Sequence, residues 1–150
     1  LAVRGQVIPS TLANLSLKVK FADGTSAEGE SNIGDHGGKI SEISIDPIDA
    51  PGHPLAIKAI EEAELVVIGP GSLYTSILPN LLVPEISDAI KRTSAPIIYA
   101  CNVATEVGET QGFAVMDVER YACHGGYLAV GRVERGAEVA HLEQGCRFRS

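Results

Sequence analysis

The sequence of 150 residues predicts an α/β fold: a doubly wound, mostly parallel sheet with a β-hairpin excursion near its N-terminus. Three observations lead to this prediction. Helix-like and strand-like segments alternate from residue 53 to residue 100. Two short apolar runs without alternation, 65–68 and 96–100, are typical of parallel strands that are covered on both faces. Residues 15–30 alternate apolar and polar side chains around an Asp-Gly pair, which indicates a hairpin.

The composition limits the classes of protein that the chain can belong to. Hydrophobic residues make up 45% and charged residues 21%, as in globular domains. The net charge of −7 argues against nucleic acid or an anionic membrane surface as the main partner. No apolar run is long enough to span a membrane, and the three cysteines form no Cys-x-x-Cys pair. We therefore expect a cytoplasmic protein without a membrane span or a nucleic-acid partner.

Both ends of the sequence suggest a fragment of a larger domain. The sequence begins with the apolar residues Leu1, Ala2 and Val3, which indicate that it starts inside a strand. Residues 1–116 hold 7 basic and 14 acidic residues, whereas residues 117–150 hold 5 of each and show no sustained apolar period. We expect a partial α/β domain at 1–116 and an atypical tail at 117–150, either frame-shifted or disordered. An ordinary divergent C-terminal segment is the alternative.

The first elements are a hairpin and one further strand. Residues 15–21 alternate as a half-buried strand does, Asp23-Gly24 provides the turn, and residues 25–30 form the return strand. Residues 34–39 read as a mobile turn. Isoleucines recur within 40–45 and predict another extended stretch. This N-terminal part is expected to lie beside the parallel sheet.

Two helices and two strands follow. Residues 53–63 have apolar side chains at helical spacing, and so do residues 83–92, where Pro84 fits the first turn. The runs 65–68 and 96–100 are the buried strands. With the extended stretch before them, the order strand, helix, strand, helix, strand predicts right-handed crossovers and a doubly wound sheet.

The strongest candidate for a ligand site is the segment 69–80, which follows the first buried strand directly. Glycines at a strand's carboxyl end let the backbone approach an anion, and short hydroxyl side chains add donors. The segment is neither a Walker A loop nor the dinucleotide fingerprint, since Tyr74 stands where a third glycine is required. A glycine turn with helix-capping hydroxyls is the alternative. The candidate binding residues are Gly69, Pro70, Gly71, Ser72, Thr75, Ser76 and Asn80.

A second polar segment, 101–112, follows the next strand. If the two strands are neighbours, both segments face one crevice. Asparagine and threonine can bind a hydroxylated or amide-bearing ligand, and Glu109 can accept from sugar hydroxyls or hold a metal. A loop that caps a following helix is the alternative. The candidates here are Asn102, Thr105, Glu109 and Thr110.

The other reactive side chains give little indication of a catalytic or metal-binding role. Cys101 is expected to be a small buried residue. Four further Cys and His residues lack accepted zinc spacing: Cys123, His124, His141 and Cys146. Since no Ser-His-Asp arrangement is found either, we assign no catalytic and no metal-binding residue.

Residues 65–112 closely resemble the YvcK branch of the YvcK/CofD-like family. The resemblance rests on Gly-Pro-Gly-Ser-Leu-Tyr-Thr-Ser-Ile-Leu-Pro-Asn at 69–80 and Cys-Asn-Val-Ala-Thr-Glu-Val-Gly-Glu-Thr-Gln-Gly at 101–112. Two earlier segments, 4–9 and 29–33, match in the same order, so the resemblance covers about residues 1–117. It implies a Rossmann-like fold. The family's Gly-Gly-Gly-Thr-Gly nucleotide loop and its Asp-Asp-Gly-Gly segment are absent from this sequence.

The resemblance also implies a function. Members of this branch are putative gluconeogenesis factors: cytoplasmic proteins that bind UDP-sugars such as UDP-N-acetylglucosamine and support cell-wall synthesis and cell shape during gluconeogenic growth. We therefore expect a metabolite-binding regulator without catalytic activity, with a small-molecule nucleotide-sugar as partner and a homo-oligomeric state. An NAD(P)-type ligand is the other cofactor left open. The alternative is a CofD-type transferase of phosphorus-containing groups, which transfers 2-phospho-L-lactate to a deazaflavin in coenzyme F420 synthesis.

Overall fold

A computed structural model describes residues 5–100, Asn102, Ala104 and 129–130, with the backbone alone at 34, 35, 129 and 130. The strands β2, β1 and β3 form an antiparallel sheet in that order, and β4, β5 and β6 form a parallel sheet. The predicted α/β class, with a parallel sheet and an N-terminal hairpin, is confirmed. The elements in chain order are β1 Ser16–Phe21, β2 Ser26–Glu28, α1 Glu30–His36, β3 Ile40–Asp46, α2 Pro54–Glu61, β4 Val66–Ile68, a π-helical turn Leu73–Ile77, α3 Leu78–Leu81, α4 Pro84–Arg92, β5 Ile97–Tyr99 and β6 Ala129–Val130.

The hairpin forms where the alternation predicts it. Val19 and Phe21 are each 2% exposed, whereas Lys18 and Lys20 project from the other face of β1. The turn is held by Asp23, whose Oδ1 accepts from both the backbone N and the hydroxyl of Thr25, at 2.9 and 2.6 Å. The strand β1 thus pairs with β2 on one side and with β3 on the other.

The sequence does not predict the helix α1. It begins at Glu30, where the sequence indicates the end of a strand, and it includes part of the predicted turn at 34–39. Serine, asparagine and glycine within it are weak helix formers. Its apolar anchor is Ile33, which is 0% exposed. A single anchor produces no period, so the sequence gives no helical signal here.

The helices α2 and α4 pack against each other on one side of the parallel sheet. On α4, Ile86, Ala89 and Ile90 are buried, and Pro84 occupies the first turn as predicted. The Arg92 guanidinium donates to Glu61 Oε1 of α2 at 2.8 Å. The pattern of helical spacing therefore identifies both helices correctly.

The parallel sheet is covered on one face only within the described part of the chain. Ile68 and Tyr99 point into the core, whereas Val67 is 57% and Ile98 is 38% exposed. The prediction that both strands are covered on both faces is therefore wrong for the described residues. The physical reason is topological, because α2 and α4 both lie on the same side of the sheet.

Two groups of buried side chains form the core. One group lies between the antiparallel sheet, the π-helical turn and β5, and the other lies between α2, α4 and the ends of both sheets. Leu17 and Leu81 pack against both groups and join them. The first group comprises Val19, Phe21, Ile33, Ile40, Leu73, Tyr74, Ile77, Leu78 and Tyr99; the second comprises Ile45, Ala50, Val83, Ile86 and Ile90.

Every helix among the described residues is too short or too polar to cross a membrane.

Candidate functional site

The two candidate segments meet at the carboxyl ends of β4 and β5. The strands run parallel with Ile68 opposite Tyr99, so the loop that begins at Gly69 and the segment after Ala100 leave the sheet at the same edge. The backbone N of Ala100 donates to Ile68 O at 2.9 Å and extends the pairing to this edge. The condition set for a shared crevice, that the two strands be neighbours, is thus met.

A pair of hydrogen bonds joins the two segments. The backbone N of Gly71 donates to Asn102 Oδ1 at 3.0 Å, and Asn102 Nδ2 donates to Gly71 O at 3.0 Å. The amide of Asn102 therefore contacts both backbone polar atoms of one loop residue. This side chain fixes the distance between the loop after β4 and the chain after β5.

The loop turns into a helix through a π-helical turn. The carbonyl O of Ser72 accepts from the backbone N of Ser76 at 2.9 Å and of Ile77 at 3.0 Å. The side chains of Leu73, Tyr74 and Ile77 are buried beneath the loop. Single π-helical turns are frequent at functional sites.

The side chain of Asn80 bonds both to the π-helical turn and to the N-terminal segment of the chain. Its Nδ2 donates to Ser76 O at 2.7 Å, and its Oδ1 accepts from the hydroxyl of Ser10 at 2.8 Å. Both groups of this amide thus bond to the chain itself. Ser10 is the residue of this region that the sequence did not indicate, because the contact spans 70 residues and leaves no local pattern.

The glycines of the loop are not required by its backbone conformation. Positive φ angles occur among the described glycines at Gly24, Gly29 and Gly37, and not at Gly69 or Gly71. A Cβ at Gly69 would meet nothing within 4 Å, and one at Gly71 would meet Ser76 Cβ at 3.4 Å, an ordinary contact. Because Gly69 and Gly71 carry no side chain, the backbone of the loop is open. The fold itself requires neither glycine.

The loop 69–80 contains no charged side chain. Within it, Gly69 and Pro70 are exposed, Ser72 and Thr75 are half-buried, and Ser76 is exposed. The polar groups that it offers are peptide groups and hydroxyls. Such groups can bind a phosphate or a sugar without changing their protonation state.

Among the residues that the structure describes, the groups whose pKa departs clearly from its ordinary value lie away from this loop. Hydrogen bonds from Thr25 lower the pKa of Asp23 in the hairpin turn. The hydrogen bond to Asp46 raises the pKa of Lys18, and the bond to Glu61 raises that of Arg92. Across residues 5–100 and the few described positions beyond, no three His, Cys, Asp or Glu side chains could hold a metal ion together.

Several residues singled out in the sequence lie outside the described residues. They include three of the candidates for ligand binding: Thr105, Glu109 and Thr110. They also include the reactive side chains Cys101, Cys123, His124, His141 and Cys146. The predicted boundary at 116/117 lies outside them as well.

Comparison with known proteins identifies the family. Residues 1–128 match the family model described as 2-phospho-L-lactate transferase CofD. A protein of Nostoc sp. is 57% identical over 117 residues, which are 78% of this chain and 26% of that protein. The gluconeogenesis factors of Listeria monocytogenes and Bacillus subtilis are 46% and 44% identical over 117 residues, which are 36% and 37% of their lengths.

A solved structure supports the same relationship. A crystal structure of a UPF0052 family member from Bacillus halodurans is 43% identical in sequence, with a TM-score of 0.78. The match covers 82% of this chain and 40% of that one. The chain thus spans between a quarter and two-fifths of the length of these relatives.

Proposed function

This chain belongs to the YvcK/CofD-like family, and several of its relatives are gluconeogenesis factors. We propose that it binds a nucleotide-sugar and acts as a regulatory protein that catalyses no reaction. The proposed ligand is of the UDP-N-acetylglucosamine type. The proposed biological role is support of cell-wall synthesis and cell shape during gluconeogenic growth. The setting is the cytoplasm.

The observation that carries the proposal is the open backbone of the loop after β4. Gly69 and Gly71 have neither a positive φ nor a neighbour that excludes a Cβ, so the fold does not account for them. A ligand that approaches the backbone closely does account for them. A diphosphate is such a ligand, since its oxygens accept from peptide N–H groups and hydroxyls.

The roles of the candidate residues follow from their contacts. Ser72, Thr75 and Ser76 are assigned to the ligand, because they add hydroxyl donors along the same loop. Asn102 and Asn80 are assigned to holding the loop, because their amides bond to Gly71 and to Ser76 and Ser10. Binding of the sugar hydroxyls is assigned to Thr105, Glu109 and Thr110, which follow β5 in the sequence.

A transferase is the second candidate, and the description of the matching family model favours it. The phosphorus-containing group would lie against the same loop. Transfer also needs a group that moves a proton or neutralises charge at the reacting atoms. The loop 69–80 has neither a carboxylate nor an imidazole, so such a group would have to come from the segment after β5, where Glu109 is the candidate.

Calorimetric titration of the chain with UDP-N-acetylglucosamine tests the proposal. We expect saturable binding that Gly71→Ala and Ser72→Ala weaken by roughly tenfold, because the first adds a Cβ to the open backbone and the second removes a hydroxyl donor. Ser94→Ala is the matched control, since Ser94 is exposed and lies before β5. Circular dichroism checks that each variant is folded.

Two results would contradict the proposal. One is the absence of heat and of thermal stabilisation at millimolar ligand with a folded chain. The other is equal affinity for wild type, Gly71→Ala and Ser72→Ala. Release of a product from a mixture of 2-phospho-L-lactate donor and deazaflavin would instead support the transferase.

A further inference from the structure

The segment that precedes β1 connects the second group of buried side chains to the helix that follows the π-helical turn. Ala13 and Leu15 pack against that second group, and β1 begins directly after Leu15. Three residues before Ala13, Ser10 bonds to two other elements of the fold. We call residues 10–15 the N-terminal strap. It is anchored in the core at one end and attached by hydrogen bonds at the other.

The two bonds of Ser10 differ in kind. Its carbonyl O accepts from the backbone N of His53, the N-cap residue of α2, at 2.7 Å. Its hydroxyl donates to Asn80 Oδ1 of α3 at 2.8 Å. A change of the Ser10 side chain therefore removes the bond to Asn80 and leaves the backbone bond to α2 in place.

The hydroxyl of Ser10 completes the bonding of the Asn80 amide. Ser76 O is a carbonyl oxygen that can only accept, so the end of the amide that faces it is Nδ2, at 2.7 Å. The other end, Oδ1, needs a donor, and the Ser10 hydroxyl is that donor. The amide of Asn80 is thus oriented from both ends, and its bond to Ser76 is supported by Ser10.

Ser76 transmits this support to the loop 69–80. Its backbone N donates to Ser72 O at 2.9 Å within the π-helical turn, and its backbone O accepts from Asn80. Both backbone polar groups of Ser76 are therefore bonded. The turn carries the hydroxyls of Ser72 and Ser76, so the strap bears on where these two hydroxyls lie.

The attachment of the strap is weak enough to open. The bond between Ser10 and Asn80 is exposed, and Val7, shortly before it, is 104% exposed. Residues 5–15 contain no charged side chain, so this attachment involves no ion pair. Segments held by a few exposed bonds open locally at less than the free energy of global unfolding. A ligand that requires an ordered turn binds the closed form and favours closure.

We propose that the N-terminal strap regulates the ligand site and that Ser10 is a positioning residue of that site. When the strap is closed, Ser10 and Asn80 hold the π-helical turn, and the hydroxyls of Ser72 and Ser76 are preorganised for the ligand. When the strap is open, these hydroxyls must be ordered at the moment of binding, which lowers the affinity. This inference rests on the proposed function, because it concerns the ligand of the same loop.

Amide hydrogen exchange of the ligand-free chain, followed by NMR, tests the strap alone. Ser10→Ala should speed exchange of the Ile77 amide, which donates to Ser72 O, by roughly three- to tenfold, the factor expected for one lost hydrogen bond. Ser10→Thr keeps the hydroxyl and should exchange as the wild type does. Ser41→Ala is the matched control, since it removes one exposed serine bond, to Lys20 O at 3.0 Å, in the antiparallel sheet. An unchanged rate at Ile77 in Ser10→Ala overturns the proposal.

Calorimetric titration with UDP-N-acetylglucosamine tests the coupling to the ligand. The affinity should fall by roughly three- to tenfold in Ser10→Ala and stay at the wild-type value in Ser10→Thr and Ser41→Ala. Saturating ligand should in turn slow exchange of the His53 amide, which donates to Ser10 O, because coupling between two sites is reciprocal. Equal loss of affinity in Ser10→Ala and Ser10→Thr would contradict the proposal, because the hydroxyl would then not be the cause.

A double-mutant cycle checks that Ser10 acts through Asn80. Ser10→Ala combined with Asn80→Ala should weaken binding no more than Asn80→Ala alone, since both changes remove the same bond. Additive losses would mean that Ser10 acts by another route and would overturn its positioning role.

The two measurements separate this inference from the proposed function. If UDP-N-acetylglucosamine binds and Ser10→Ala has wild-type affinity, the proposed function stands and the strap does not regulate the site. If the folded wild-type chain binds no UDP-N-acetylglucosamine, the proposed function and the regulation of this ligand fail together. The role of Ser10 in holding the turn is then decided by the exchange rate at Ile77.

Discussion

At the scale of single residues, the amide of Asn102 bonds to both backbone polar atoms of Gly71. An asparagine side chain is well suited to this because it carries one donor and one acceptor on the same planar group. An aspartate would keep the acceptor for the Gly71 N–H and place an oxygen against the Gly71 carbonyl. The pair therefore depends on the amide and not only on the size of the side chain.

Asn102→Ala should lower the free energy of unfolding by about 1–3 kcal/mol, because two half-buried hydrogen bonds are lost together. Asn102→Asp should also destabilise, since two oxygens then face each other. Urea unfolding followed by circular dichroism measures both. Asn32→Ala is the control, because the Asn32 amide makes one exposed bond to Glu28 O and should change stability less. Equal stability of Asn102→Ala and wild type would show that the contact does not hold the loop.

The hairpin turn should respond to acid through Asp23. Bonds from the Thr25 hydroxyl and N–H hold its pKa below the ordinary value of 3.8. A carboxyl whose pKa is lower in the folded state stabilises the fold above its ordinary pKa, and this contribution is lost as the pH falls through the lowered value. The stability difference between wild type and Asp23→Asn should therefore shrink below about pH 4. Urea midpoints at a series of pH values measure it, with Asp49→Asn as an exposed control.

The sequence predicts that the two candidate segments lie together, but not how they are held. Gly69 and Asn102 each follow an apolar run, and parallel strands bring the ends of such runs to one edge. The bond from Ser10 to Asn80 joins residues 70 positions apart, and neither side chain stands in a pattern that indicates a partner. Contacts of this kind depend on the packing of the whole fold.

At the scale of elements, α4 and α1 show what a periodic pattern can predict. On α4, three buried side chains recur at helical spacing after Pro84, and the sequence therefore identifies it. On α1, Ile33 alone anchors a helix of weak helix formers. The exposed side chains of Val67 and Ile98 show a second limit of such patterns. A run of apolar residues predicts the same strand whether one face or both faces of that strand are covered.

The helix α4 also fixes the segment that leads into α2. Glu85 Oε2 accepts from the backbone N of Gly52 at 2.6 Å. Glu85→Ala leaves that half-buried N–H without its acceptor and should lower the free energy of unfolding by about 1–3 kcal/mol. Asp88→Ala on the same helix is the control, since Asp88 makes only an exposed ion pair with Lys91 at 3.6 Å. A similar effect of both changes on the urea midpoint would contradict a specific role for Glu85.

At the scale of the whole molecule, the two sheets are joined through a shared core. Leu17 of β1 and Leu81 of α3 each pack against both groups of buried side chains. A change at either position therefore disturbs the packing of the antiparallel sheet and that of α2 and α4 together. The described part of the chain should unfold as one unit, because neither group of side chains is isolated from the other.

Leu81→Ala should lower the free energy of unfolding by about 2–4 kcal/mol and leave a single transition, because the cavity adjoins both core groups. Far-ultraviolet circular dichroism and tyrosine fluorescence, to which the core residues Tyr74 and Tyr99 contribute, should give the same midpoint in wild type and variant. Leu12→Ala is the control, since Leu12 is 79% exposed and should change stability little. Two separated transitions in the Leu81 variant would mean that the sheets are stable independently, and the glycine loop would then depend on the parallel sheet alone.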